Sequence, residues 1–420
     1  MNVLVIGGGG REHAVIGQLM KSDRIKRLYC TPGNGGICAH ADCINLKATD
    51  STMISAFAQQ HEIDFAVVTP DDPLVLGMTD VLEAQGIRCF GPSKKAAQIE
   101  GSKIFSKNLM KKYGIPTAAY AVFDRSEDAA AYVKAQDSYP VVIKADGLAL
   151  GKGVIIAQDF AEAESAIREM IDGGRFGQSG SRVVIEEFLY GPEVTVLAFT
   201  DGKTIKPMVS SMDHKRAYDG DNGPNTGGMG TIAPNPHYTR ELADVCMDTI
   251  FLPTIRALQS EGAPFKGCLY FGLMLTQKGP YVIEYNCRFG DPEAQVVLPL
   301  LKTDLLTVFE AVADGRLDEL EIEWEQGAAA CVVMASGGYP QQYETGKEIT
   351  GIEEAAALRG VTVYHAGTRY DDGRYYTAGG RVLGVTAKAK NLPLALAKAY
   401  EAVGLIRFEG AHYRTDIGKK

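Results

Sequence analysis

The chain has fewer basic residues than acidic ones. It contains 43 lysines and arginines against 52 aspartates and glutamates, which gives a formal net charge of −9 at pH 7. Because nucleic acids and anionic membranes are themselves negative, this balance argues against either of them as a partner. It does not exclude a local basic pocket that binds the phosphates of a small molecule.

Long hydrophobic runs and paired cysteines are also missing. No apolar run approaches the ~20 residues of a membrane span, and the start MNVLVIGGGG lacks the basic residues of a secretory signal. The eight cysteines include no Cys-x-x-Cys pair and no short disulfide framework, which is typical of a reducing compartment. The spacing of Cys38, His40 and Cys43 matches no standard zinc pattern. We therefore expect a cytoplasmic protein.

The first hundred residues alternate between apolar strands and helical segments. At 420 residues, 45% of them hydrophobic and 23% charged, the chain is globular in composition and too long for one ordinary domain. The alternation predicts a doubly wound parallel sheet over residues 1–100. The predicted strands are Val3–Ile6, Arg27–Cys30, Phe65–Thr69 and Arg88–Phe90, and the predicted helices are Glu12–Lys21, Ser51–Gln60 and Leu74–Ala84.

Two further regions follow. Residues 101–326 mix strands and helices, and residues 327–420 are rich in short strands and predict a small β-rich C-terminal domain. The predicted fold class is therefore α/β, and α+β in parts. The main elements expected in the middle region are a helix at Lys103–Tyr113, a hairpin turning at Asp201–Gly202, a glycine-rich loop from Ser211 to Gly230 and a helix at Thr239–Gly262.

The first strand ends in a glycine-rich turn, VIGGGGREH. A dinucleotide-binding fingerprint needs a glycine at its sixth position, but counting from Gly7 that position is Glu12. A nicotinamide cofactor is therefore not expected. The turn opens a helix whose free N–H groups favour an anion, and Arg11 lies at that start. Two interpretations remain open, a substrate-phosphate site and a tight turn without a ligand.

The stretch VVIKADGLALGKGVIIA (Val141–Ala157) places a glycine-rich loop between two apolar runs. It is not a Walker loop, because its glycine spacing differs, no Ser or Thr follows its lysine, and a strand rather than a helix comes next. It predicts a hairpin whose tip can lie over phosphates through backbone N–H groups. Lys144 would point one charge to the same place, and the alternative is a solvated lysine at a sheet edge.

The segment YVIEYNCRFGDPEAQ (Tyr281–Gln295) carries a row of polar side chains. Because side chains alternate along a strand, Glu284, Asn286 and Arg288 share one face. A carboxylate and an amide oxygen suit Mg²⁺ bound together with nucleotide phosphates, and the guanidinium suits a phosphoryl group or a carboxylate. The alternative is a solvated strand face. The predicted core face of the same strand carries Ile283, Tyr285 and Cys287.

Taken together, these segments resemble the ATP-grasp ligases and, among them, the phosphoribosylamine–glycine ligase family, also called glycinamide ribonucleotide synthetases. The most specific feature is GPNTGGMG followed by NCRFGDPE. The resemblance implies an ATP-grasp domain pair at residues 101–326, with a mobile flap subdomain at about residues 117–190. The motifs that carry it span nearly the whole chain in the family's order: GGGGREHA, TPGNGG, GPSKKAAQIEGSK, VVIKADGLALGKGV, VIEEFLYGPEVT, DHKRAYDGDNGPNTGGMG, VIEYNCRFGDPEAQ, HAGT and GGRVLGVTA.

The resemblance also implies a reaction. ATP, glycine and 5-phosphoribosylamine would give glycinamide ribonucleotide, ADP and phosphate, an early step of purine synthesis. In the family's mechanism the glycine carboxylate attacks the γ-phosphate to give glycyl phosphate, and the amine then displaces phosphate. The implied metal is Mg²⁺ or Mn²⁺, and the implied partners are these small molecules. Transient contact with neighbouring purine-pathway enzymes is a further expectation.

The roles that the resemblance implies fall on residues throughout the chain. The catalytic residues would be Arg288, Asp213 and Lys215, and the metal ligands would be Glu284 and Asn286. ATP would be bound by Lys103, Lys144, Gly147, Gly151, Lys152, Gly153, Glu186, Phe188, Leu189 and Glu193. The other substrates would be bound by Gly9, Gly10, Arg11, Asp71, Asn225, Thr226, Gly227, Gly228 and Asp291.

Two features depart from the family's pattern. The segment TPDDPL carries Asp71 where a glutamate is expected, which shortens the carboxylate by one methylene. Many ATP-grasp enzymes place a carboxylate on the strand before the metal strand, but LYFGLMLT has none, and Glu293 is a candidate replacement.

Two alternative functions stay open at this point. One is another ATP-grasp carboxylate–amine ligase or a biotin-carboxylase-like enzyme. The other is a nucleotide-binding regulatory protein that has lost catalysis, which would lack Lys144, Glu284 or Arg288, whereas all three are present.

Overall fold

The computed structural model describes residues 1–148, 153–173 and 181–419. The first hundred residues contain the strands β1 (Asn2–Gly7), β2 (Arg27–Pro32), β3 (Asp42–Cys43), β4 (Phe65–Val68) and β5 (Arg88–Phe90). They form one sheet in the order β3-β2-β1-β4-β5, and each neighbouring pair is parallel. The predicted parallel sheet is confirmed. Because the order reverses between β1 and β4, a ligand crevice is expected at the carboxyl ends of these strands.

Helices cover this sheet, and one of them differs from the prediction. The helices are α1 (Gly10–Leu19), α2 (Ser51–Gln60), α3 (Asp71–Leu76), α4 (Met78–Glu83) and α5 (Gln98–Gly101). The sequence predicted a single helix over Leu74–Ala84. Gly77 interrupts it with a φ of +97°, a left-handed conformation that glycine adopts without strain.

The predicted flap is a small sheet with two helices. After α6 (Lys103–Tyr113) come β6 (Tyr120–Phe123), α7 (Ser126–Gln136), β7 (Val141–Ala145), β8 (Val154–Ala157), α8 (Phe160–Ile171) and β9 (Val183–Glu187). The strands form an antiparallel sheet in the order β6-β9-β7-β8. The predicted hairpin is confirmed, with Lys144 of β7 opposite Val154 of β8.

A second sheet follows, together with the segment at residues 211–230, which we call the structured loop. The strands are β10 (Glu193–Asp201), β11 (Ile205–Pro207), β12 (Met212–Asp213), β13 (Arg216–Tyr218), β14 (Asn222–Asn225), β15 (Gly230–Ala233), β16 (Lys266–Thr276) and β17 (Gly279–Asn286). The second sheet has the antiparallel order β11-β10-β16-β17. The glycine-rich loop predicted from Ser211 to Gly230 is not a loop throughout, because β13 and β14 pair as a hairpin within it.

The helix predicted at Thr239–Gly262 is present with one irregularity. It consists of α9 (Arg240–Cys246) and α10 (Leu252–Ser260), joined by a π-helical stretch at Met247–Phe251. The remaining helices are α11 (Ala294–Val297), α12 (Leu305–Asp314), α13 (Ile352–Ala356) and α14 (Leu392–Val403).

The C-terminal region is rich in β structure, as predicted. Its strands are β18 (Ala328–Ala335), β19 (Glu348–Ile349), β20 (Val361–His365), β21 (Thr368–Asp371), β22 (Arg374–Thr377) and β23 (Arg381–Ala389). The larger C-terminal sheet has the order β12-β15-β18-β23-β20. Two of its strands, β12 and β15, therefore come from the middle of the chain and carry the structured loop to this sheet.

Strand β1 is buried on both faces, which fixes the glycine turn at its end. Leu4 and Ile6 belong to one core cluster with Phe271 of β16. The alternate residues Val3 and Val5 belong to another cluster, which includes side chains of α1 and α12. Each buried aliphatic side chain stabilises the fold by roughly 1.5–3 kcal/mol. The N-terminal sheet is thereby packed against the second sheet, and the cavity described below lies at their junction.

One pair of cysteines differs from expectation. Cys38 and Cys43 form a disulfide, with their Cα atoms 5.4 Å apart. The sequence predicted no disulfide framework, and that expectation is wrong for this pair. The other six cysteines, Cys30, Cys89, Cys246, Cys268, Cys287 and Cys331, are free and buried.

Three histidine rings meet where α1 contacts the C-terminal sheet. The ring centroid of His13 lies 5.7 Å from that of His40 and 5.6 Å from that of His365. The backbone N–H of His365 donates to His13 Nδ1 at 2.8 Å. Burial and the neighbouring imidazoles lower the pKa of His13 to about 3 and that of His365 to about 4.

We expect the protein to lose stability as the pH falls from about 6.5 towards 4. Unfolded, His13 and His365 regain the ordinary histidine pKa near 6.5 and bind protons in this range, whereas in the folded state they stay neutral. Acid therefore favours the unfolded chain. Urea unfolding near pH 7.5 and near pH 5 measures the difference in free energy of unfolding.

A histidine variant tests this cause. His365→Gln removes one titrating site and is expected to reduce the pH dependence of the free energy of unfolding. His237→Gln changes an exposed histidine outside the cluster and serves as the control. The same pH dependence in His365→Gln as in the unmodified chain would contradict the explanation.

Candidate active site

A cavity of about 670 Å³ opens between the N-terminal sheet, the flap, the second sheet and the C-terminal sheet. Gly9, Gly10, Gly147 and Gly228 each lie next to a lining residue. Gly151 and Lys152 lie outside the described residues. The predicted site residues that line the cavity are Arg11, Asp71, Lys103, Lys144, Gly153, Glu186, Phe188, Leu189, Glu193, Asp213, Lys215, Asn225, Thr226, Gly227, Glu284, Asn286, Arg288 and Asp291.

Lys144 is buried and joins the flap to β17. Its side chain is 8% exposed, and its Nζ donates to the backbone oxygen of Ile283 at 3.0 Å. The same Nζ lies 3.0 Å from Glu186 Oε1. The alternative interpretation, a solvated lysine at a sheet edge, is therefore wrong. A buried ammonium beside a cavity is instead placed to meet an anion there.

Lys107 is a second buried cation, which was not among the residues predicted from the sequence. Its Nζ lies 2.9 Å from Glu186 Oε2 and donates to Thr117 Oγ1 at 2.8 Å. Burial lowers the pKa of Lys107 to about 8, although Glu186 acts in the opposite direction. The sequence does contain an indication of this second lysine. Lys103 and Lys107 are four residues apart on α6, so they share one helix face.

Lys103 ties the start of α6 to the base of the glycine-rich loop. Its Nζ donates to the backbone oxygen of Gly147 at 2.9 Å. Its backbone N–H donates to the backbone oxygen of Asp146, also at 2.9 Å. Burial and the charge of Lys144 lower the pKa of Lys103. Two lysines at the base of one glycine-rich loop give this end of the cavity a positive potential that suits phosphate oxygens.

Strand β17 contains a bulge that changes the predicted faces. Gly272 of β16 pairs with Glu284, but the next residue of β16 pairs with Val282, which leaves Ile283 as the extra residue. The prediction that Ile283 lies on the core face is wrong. Val282 and Tyr285 are buried, whereas Ile283 and Glu284 both line the cavity.

The bulge places Glu284 beside a lysine from the structured loop. Lys215 Nζ lies 3.2 Å from Glu284 Oε1 and 3.6 Å from Glu193 Oε2. The charge of Lys215, helped by Lys144, lowers the pKa of Glu284 to about 2. Glu284 is therefore an ionised carboxylate at neutral pH. Asn286, two residues further along, lines the same cavity.

These two side chains fit a divalent cation that is held jointly with phosphates. Among residues 1–148, 153–173 and 181–419, no three or more His, Cys, Asp or Glu side chains are arranged to hold a metal by themselves. Mg²⁺ usually takes one or two carboxylates and completes its shell with water and substrate phosphates. Gly272 faces Glu284 from β16, so β16 supplies no carboxylate opposite it. The candidate replacement, Glu293, lines the same cavity.

Arg288 is held by a buried carboxylate that the sequence analysis missed. Arg288 Nη2 lies 2.9 Å from Glu100 Oε1 and 3.9 Å from Asp71 Oδ2. The second oxygen of Glu100 accepts the Cys287 N–H at 2.7 Å. Burial lowers the pKa of Arg288, but Glu100 and Asp71 more than offset it and raise the pKa above its usual value. The guanidinium is thus a fixed, permanent cation at the cavity wall.

Asp213 and Glu293 are two carboxyl groups that line the same cavity. Burial and the charge of Glu293 raise the pKa of Asp213 well above its usual range, and burial raises that of Glu293. Asp213 Oδ1 accepts the backbone N–H of His214 at 2.7 Å. Two such carboxyl groups are expected to titrate as a unit, since the first to lose its proton opposes ionisation of the second.

The glycine turn at the end of β1 is hydrogen-bonded to the carboxylate of Glu12, in the first turn of α1. The Gly9 N–H donates to Glu12 Oε2 at 2.6 Å, and Arg11 Nε donates to Glu12 Oε1 at 2.6 Å. Arg11 Nη1 donates to the backbone oxygen of Phe289 at 3.3 Å. A Cβ on Gly9 would lie 3.2 Å from Asp291 Oδ2. Because Glu12 already accepts the Gly9 N–H, Arg11 is the group of this turn that faces the cavity with positive charge.

The C-terminal region supplies two lining residues that the sequence analysis missed. Arg381 Nη1 donates to the backbone oxygens of Gly227 and Asp291 at 2.7 and 2.6 Å. The hydroxyl of Tyr339 accepts the Gly227 N–H at 3.0 Å. Arg381 belongs to the motif GGRVLGVTA, to which the sequence analysis gave no role. The last turn of the structured loop is therefore held from the C-terminal side.

The flap, the second sheet and the charged cavity between them define the class of the protein as an ATP-grasp enzyme. The phosphoribosylglycinamide synthetase N domain matches residues 1–100, the ATP-grasp (A) domain of that synthetase matches 101–294, and its C domain matches 329–420. The chain therefore belongs to the phosphoribosylglycinamide synthetase family. Enzymes of the ATP-grasp class use ATP together with a divalent metal ion.

Relatives and solved structures agree with this family. The chain is 49% identical over 417 residues to the phosphoribosylamine–glycine ligase of Caldanaerobacter subterraneus subsp. tengcongensis, covering 99% of each. It is 46% identical over 419 residues to the Homo sapiens trifunctional purine biosynthetic protein adenosine-3, covering 99% of this chain and 41% of that protein. The crystal structure of the ligase from Thermotoga maritima superposes with a TM-score of 0.87 at 33% identity, covering 100% of both chains.

Biotin carboxylases share the fold but not the sequence. The enzyme from Campylobacter jejuni superposes with a TM-score of 0.76 at 16% identity, covering 98% of this chain and 92% of that one. At such low identity the likeness shows the fold alone. The biotin-carboxylase-like alternative therefore gains no support beyond the shared architecture.

Proposed function

We propose that this chain joins glycine to 5-phosphoribosylamine, with ATP as the energy source, to give glycinamide ribonucleotide, ADP and phosphate through glycyl phosphate. One contact carries the proposal. Lys144 Nζ donates to the backbone oxygen of Ile283 at 3.0 Å, one residue before Glu284. A lysine that can neutralise phosphates and a carboxylate that can hold a metal thereby line one cavity, and we place the triphosphate between them.

ATP lies in the part of the cavity bounded by the flap. Lys103 and Lys144 neutralise its phosphates, and two described residues of the glycine-rich loop, Leu148 and Gly153, line the cavity beside them. The segment Glu186–Leu189, which begins in β9 and continues past its end, receives adenine through main-chain groups, and Glu193 receives the ribose hydroxyls. The support for this placement is that residues of each of these segments line one cavity, with both lysines at the base of the loop.

Glu284 and Asn286 hold the divalent metal, Mg²⁺ or Mn²⁺. When bound, the metal neutralises charge on the phosphates of ATP. The chain prepares the carboxylate for this role, because Lys215 keeps Glu284 ionised. Arg288 lies beyond the metal ligands on the same segment, where Glu100 fixes its direction.

In the first step, a carboxylate oxygen of glycine attacks the γ-phosphorus. The new O–P bond forms as the bond to the β–γ bridging oxygen breaks, and ADP leaves with that electron pair. The protein mainly positions the reactants and stabilises charge. Arg288 supplies a permanent cation for the transferring phosphoryl group, and Lys215 supplies a second one.

In the second step, the amine nitrogen of phosphoribosylamine attacks the acyl carbon. The C–N bond forms, the C–O bond to phosphate breaks, and the nitrogen releases a proton. We assign the proton acceptor to Asp213, because it lines the cavity and its carboxylate lies against Gly228 of the loop that borders the glycine and amine site. The loop residues Asn225–Gly228 border this site and keep water from the acyl phosphate.

The phosphate of phosphoribosylamine lies at the N-terminal glycine turn. Gly9 and Gly10 let the backbone approach closely, and Arg11 provides the charge. Asp71 and Asp291 contact the sugar and the amine. Burial raises the pKa of both carboxyl groups, but nearby arginines lower it more. The larger of these effects comes from Arg288 at Asp71 and from Arg381 at Asp291, and Arg11 adds to both.

Replacing Arg11 by Ala is expected to raise the KM for phosphoribosylamine about tenfold or more. A lost hydrogen bond to a charged group is worth about 1.5–3 kcal/mol, and 1.4 kcal/mol is tenfold. The KM for ATP should change much less, because the ATP phosphates lie at the flap. Steady-state kinetics with each substrate varied in turn provides both values. An equal rise in the two constants would contradict the phosphate role of Arg11.

The division of the chain at residues 101 and 327, with a mobile flap at about 117–190, is part of this proposal, and so is a cytoplasmic location. None of the helices in the described part of the chain has the length and apolar character needed to cross a lipid bilayer.

The human relative combines several functions in one purine biosynthetic protein. This supports transient contact of the present chain with neighbouring enzymes of that pathway.

The test of the proposed function is phosphate release from ATP by the purified chain with Mg²⁺. Release is expected only when glycine and freshly prepared phosphoribosylamine are both present, with a product of the mass of glycinamide ribonucleotide. Bicarbonate in place of the two substrates is the control. Release with bicarbonate alone would overturn the proposal in favour of a carboxylase.

A further inference from the structure

The segment His412–Gly418 (HYRTDIG), which we call the C-terminal clasp, lies along the β13–β14 hairpin. No function described above accounts for it. His412 Nε2 lies 2.7 Å from the backbone oxygen of Ala217 in β13. At the other end of the clasp, the Gly418 N–H donates to His214 Nε2 at 3.0 Å. The clasp therefore contacts the hairpin strand and the residue that follows β12.

The clasp also holds the tip of the hairpin. The Thr415 N–H donates to Asp219 Oδ1 at 2.8 Å, and the Thr415 hydroxyl donates to the other oxygen of that carboxylate. The Gly220 N–H donates to Asp416 Oδ2 at 2.8 Å. The three bonds join consecutive residues of the clasp to consecutive residues of the tip, so the tip has little freedom to move.

Arg414 is the centre of this arrangement. Its side chain is 0% exposed. Its Nε and Nη2 donate to the two oxygens of Asp416 at 2.7 and 2.8 Å, and its Nη1 donates to Asp221 Oδ1 at 2.9 Å and to the backbone oxygen of Arg216 at 3.2 Å. A buried guanidinium is tolerated only when it is paired and hydrogen-bonded. These fork-like bonds fix the positions of both partners as well.

Asp221 connects the clasp to the cavity. It lines the cavity and has a φ of +55°, which is uncommon for a residue with a side chain. Such a conformation persists where the surrounding structure holds it in place, and it often occurs at functional sites. Arg414 bonds the carboxylate of this residue directly. The strained tip is thus held by an arginine that does not itself line the cavity.

The clasp is anchored on its other side to the C-terminal domain. The backbone of His412 exchanges two hydrogen bonds with that of Ala335 in β18, at 2.7 and 2.9 Å. The hydroxyl of Tyr400 in α14 donates to the Arg414 backbone oxygen at 2.9 Å and accepts the Ile417 N–H at 3.0 Å. Because β18 and α14 are packed in one hydrophobic core, the anchor is rigid.

We propose that Arg414 is a positioning residue for the ligation. Through Asp221 and Asp416 it holds the hairpin at the position where the loop residues on either side of it, from Lys215 to Gly227, contact glycine and phosphoribosylamine. The proposal rests on the proposed function for the identity of these two substrates. Lys103 and Lys144, which neutralise the phosphates of ATP, lie on α6 and β7, outside the hairpin and the clasp, so we expect the affinity for ATP to change far less than the two KM values.

The test compares substrate constants in Arg414→Gln and Arg414→Lys. We expect the KM values for glycine and phosphoribosylamine to rise by on the order of 10- to 100-fold in Arg414→Gln, since small misplacements of positioning groups cost about that much. Arg414→Lys should recover only part of the loss, because an ammonium lacks the fork. The Kd for ATP, measured by calorimetry, should stay within about twofold of the original value.

Control variants separate positioning from folding. Arg407→Ala is the matched control, since Arg407 precedes the clasp and its Nη1 donates to the backbone oxygen of its own neighbour Ile406. It should leave all constants unchanged. Asp219→Ala removes the tip contact of Thr415 from the hairpin side and carries the same expectation as Arg414→Gln. It keeps the test possible if Arg414→Gln fails to fold.

The outcomes distinguish this inference from the proposed function. A purely structural role predicts a lower Tm with unchanged KM values in Arg414→Gln and Asp219→Ala, and that result would overturn the proposal. Asn225→Ala tests the loop itself. If Asn225→Ala raises the KM for glycine or phosphoribosylamine while the clasp variants do not, the positioning role of Arg414 is refuted and the substrate role of the loop is retained. If none of these variants changes those constants, the substrate role of the loop fails with it.

Discussion

Replacing Glu284 by Ala is expected to reduce turnover by more than about 100-fold while the protein stays folded. Removing even an outer-shell partner of a metal ligand typically costs 10- to 100-fold, so removing a ligand should cost more. Stability should change little, because the side chains of Glu284 and its partner Lys215 are 38% and 35% exposed. Ion pairs of that exposure contribute about 0–1 kcal/mol.

Two measurements check the role of Glu284. Turnover at saturating ATP gives the loss in rate, and a Mg²⁺ titration shows whether more metal restores part of it, as expected for a weakened metal site. Thermal unfolding confirms the fold. Glu354→Ala, a change at an exposed glutamate of α13 outside the cavity, is the matched control. Unchanged turnover in Glu284→Ala would mean that β17 does not carry the metal.

Features that depend on local chemistry could be predicted from the sequence. Apolar runs, glycine positions and charged residues at strand ends placed Lys103, Lys144, Glu284 and Arg288 on elements that the structure brings to one cavity. The strand β5 and the helices α2 and α6 have the predicted bounds, because their sequences combine a regular pattern with clear end signals. Asp50, for example, caps α2 by accepting the Met53 N–H at 3.1 Å.

Features that depend on pairing between distant segments could not be predicted. The rule that side chains alternate between the two faces assumes an unbroken strand. The single bulge at Ile283 moves the residues before it to the face opposite the predicted one. The carboxylate that holds Arg288 comes from Glu100, 188 residues earlier in the chain. No local pattern specifies such a partner, because only the packed fold brings the two charges together.

Short strands were missed for a related reason. Strands β12 and β13 have two and three residues, which is too short for an alternating pattern to be recognised. Their polar, glycine-rich sequence therefore indicated an irregular loop. Hydrogen bonds to β15, to β14 and to the clasp give them their structure, and those partners lie elsewhere in the chain.

Replacing Arg288 by Met is the change for which we expect a large loss of both activity and stability. An arginine that stabilises a transferring phosphoryl group is worth about 10³–10⁵ in turnover. The variant also leaves Glu100 buried, at 8% exposure, with the Cys287 N–H but without its cation. Breaking a buried ion pair by removing one partner typically costs about 3–5 kcal/mol. Urea unfolding and steady-state kinetics measure the two losses separately.

A second substitution separates the two effects. In Arg288→Met combined with Glu100→Gln, the amide keeps an oxygen for the Cys287 N–H but carries no charge, so most of the lost stability should return. Turnover should stay low, because the cation that we propose for the phosphoryl group is still absent. If turnover returned together with stability, Arg288 would serve to neutralise Glu100, and the charge for phosphoryl transfer would have to come from Lys215 or the metal. Persistent low turnover in a fully stable double variant assigns the chemical role to the guanidinium itself.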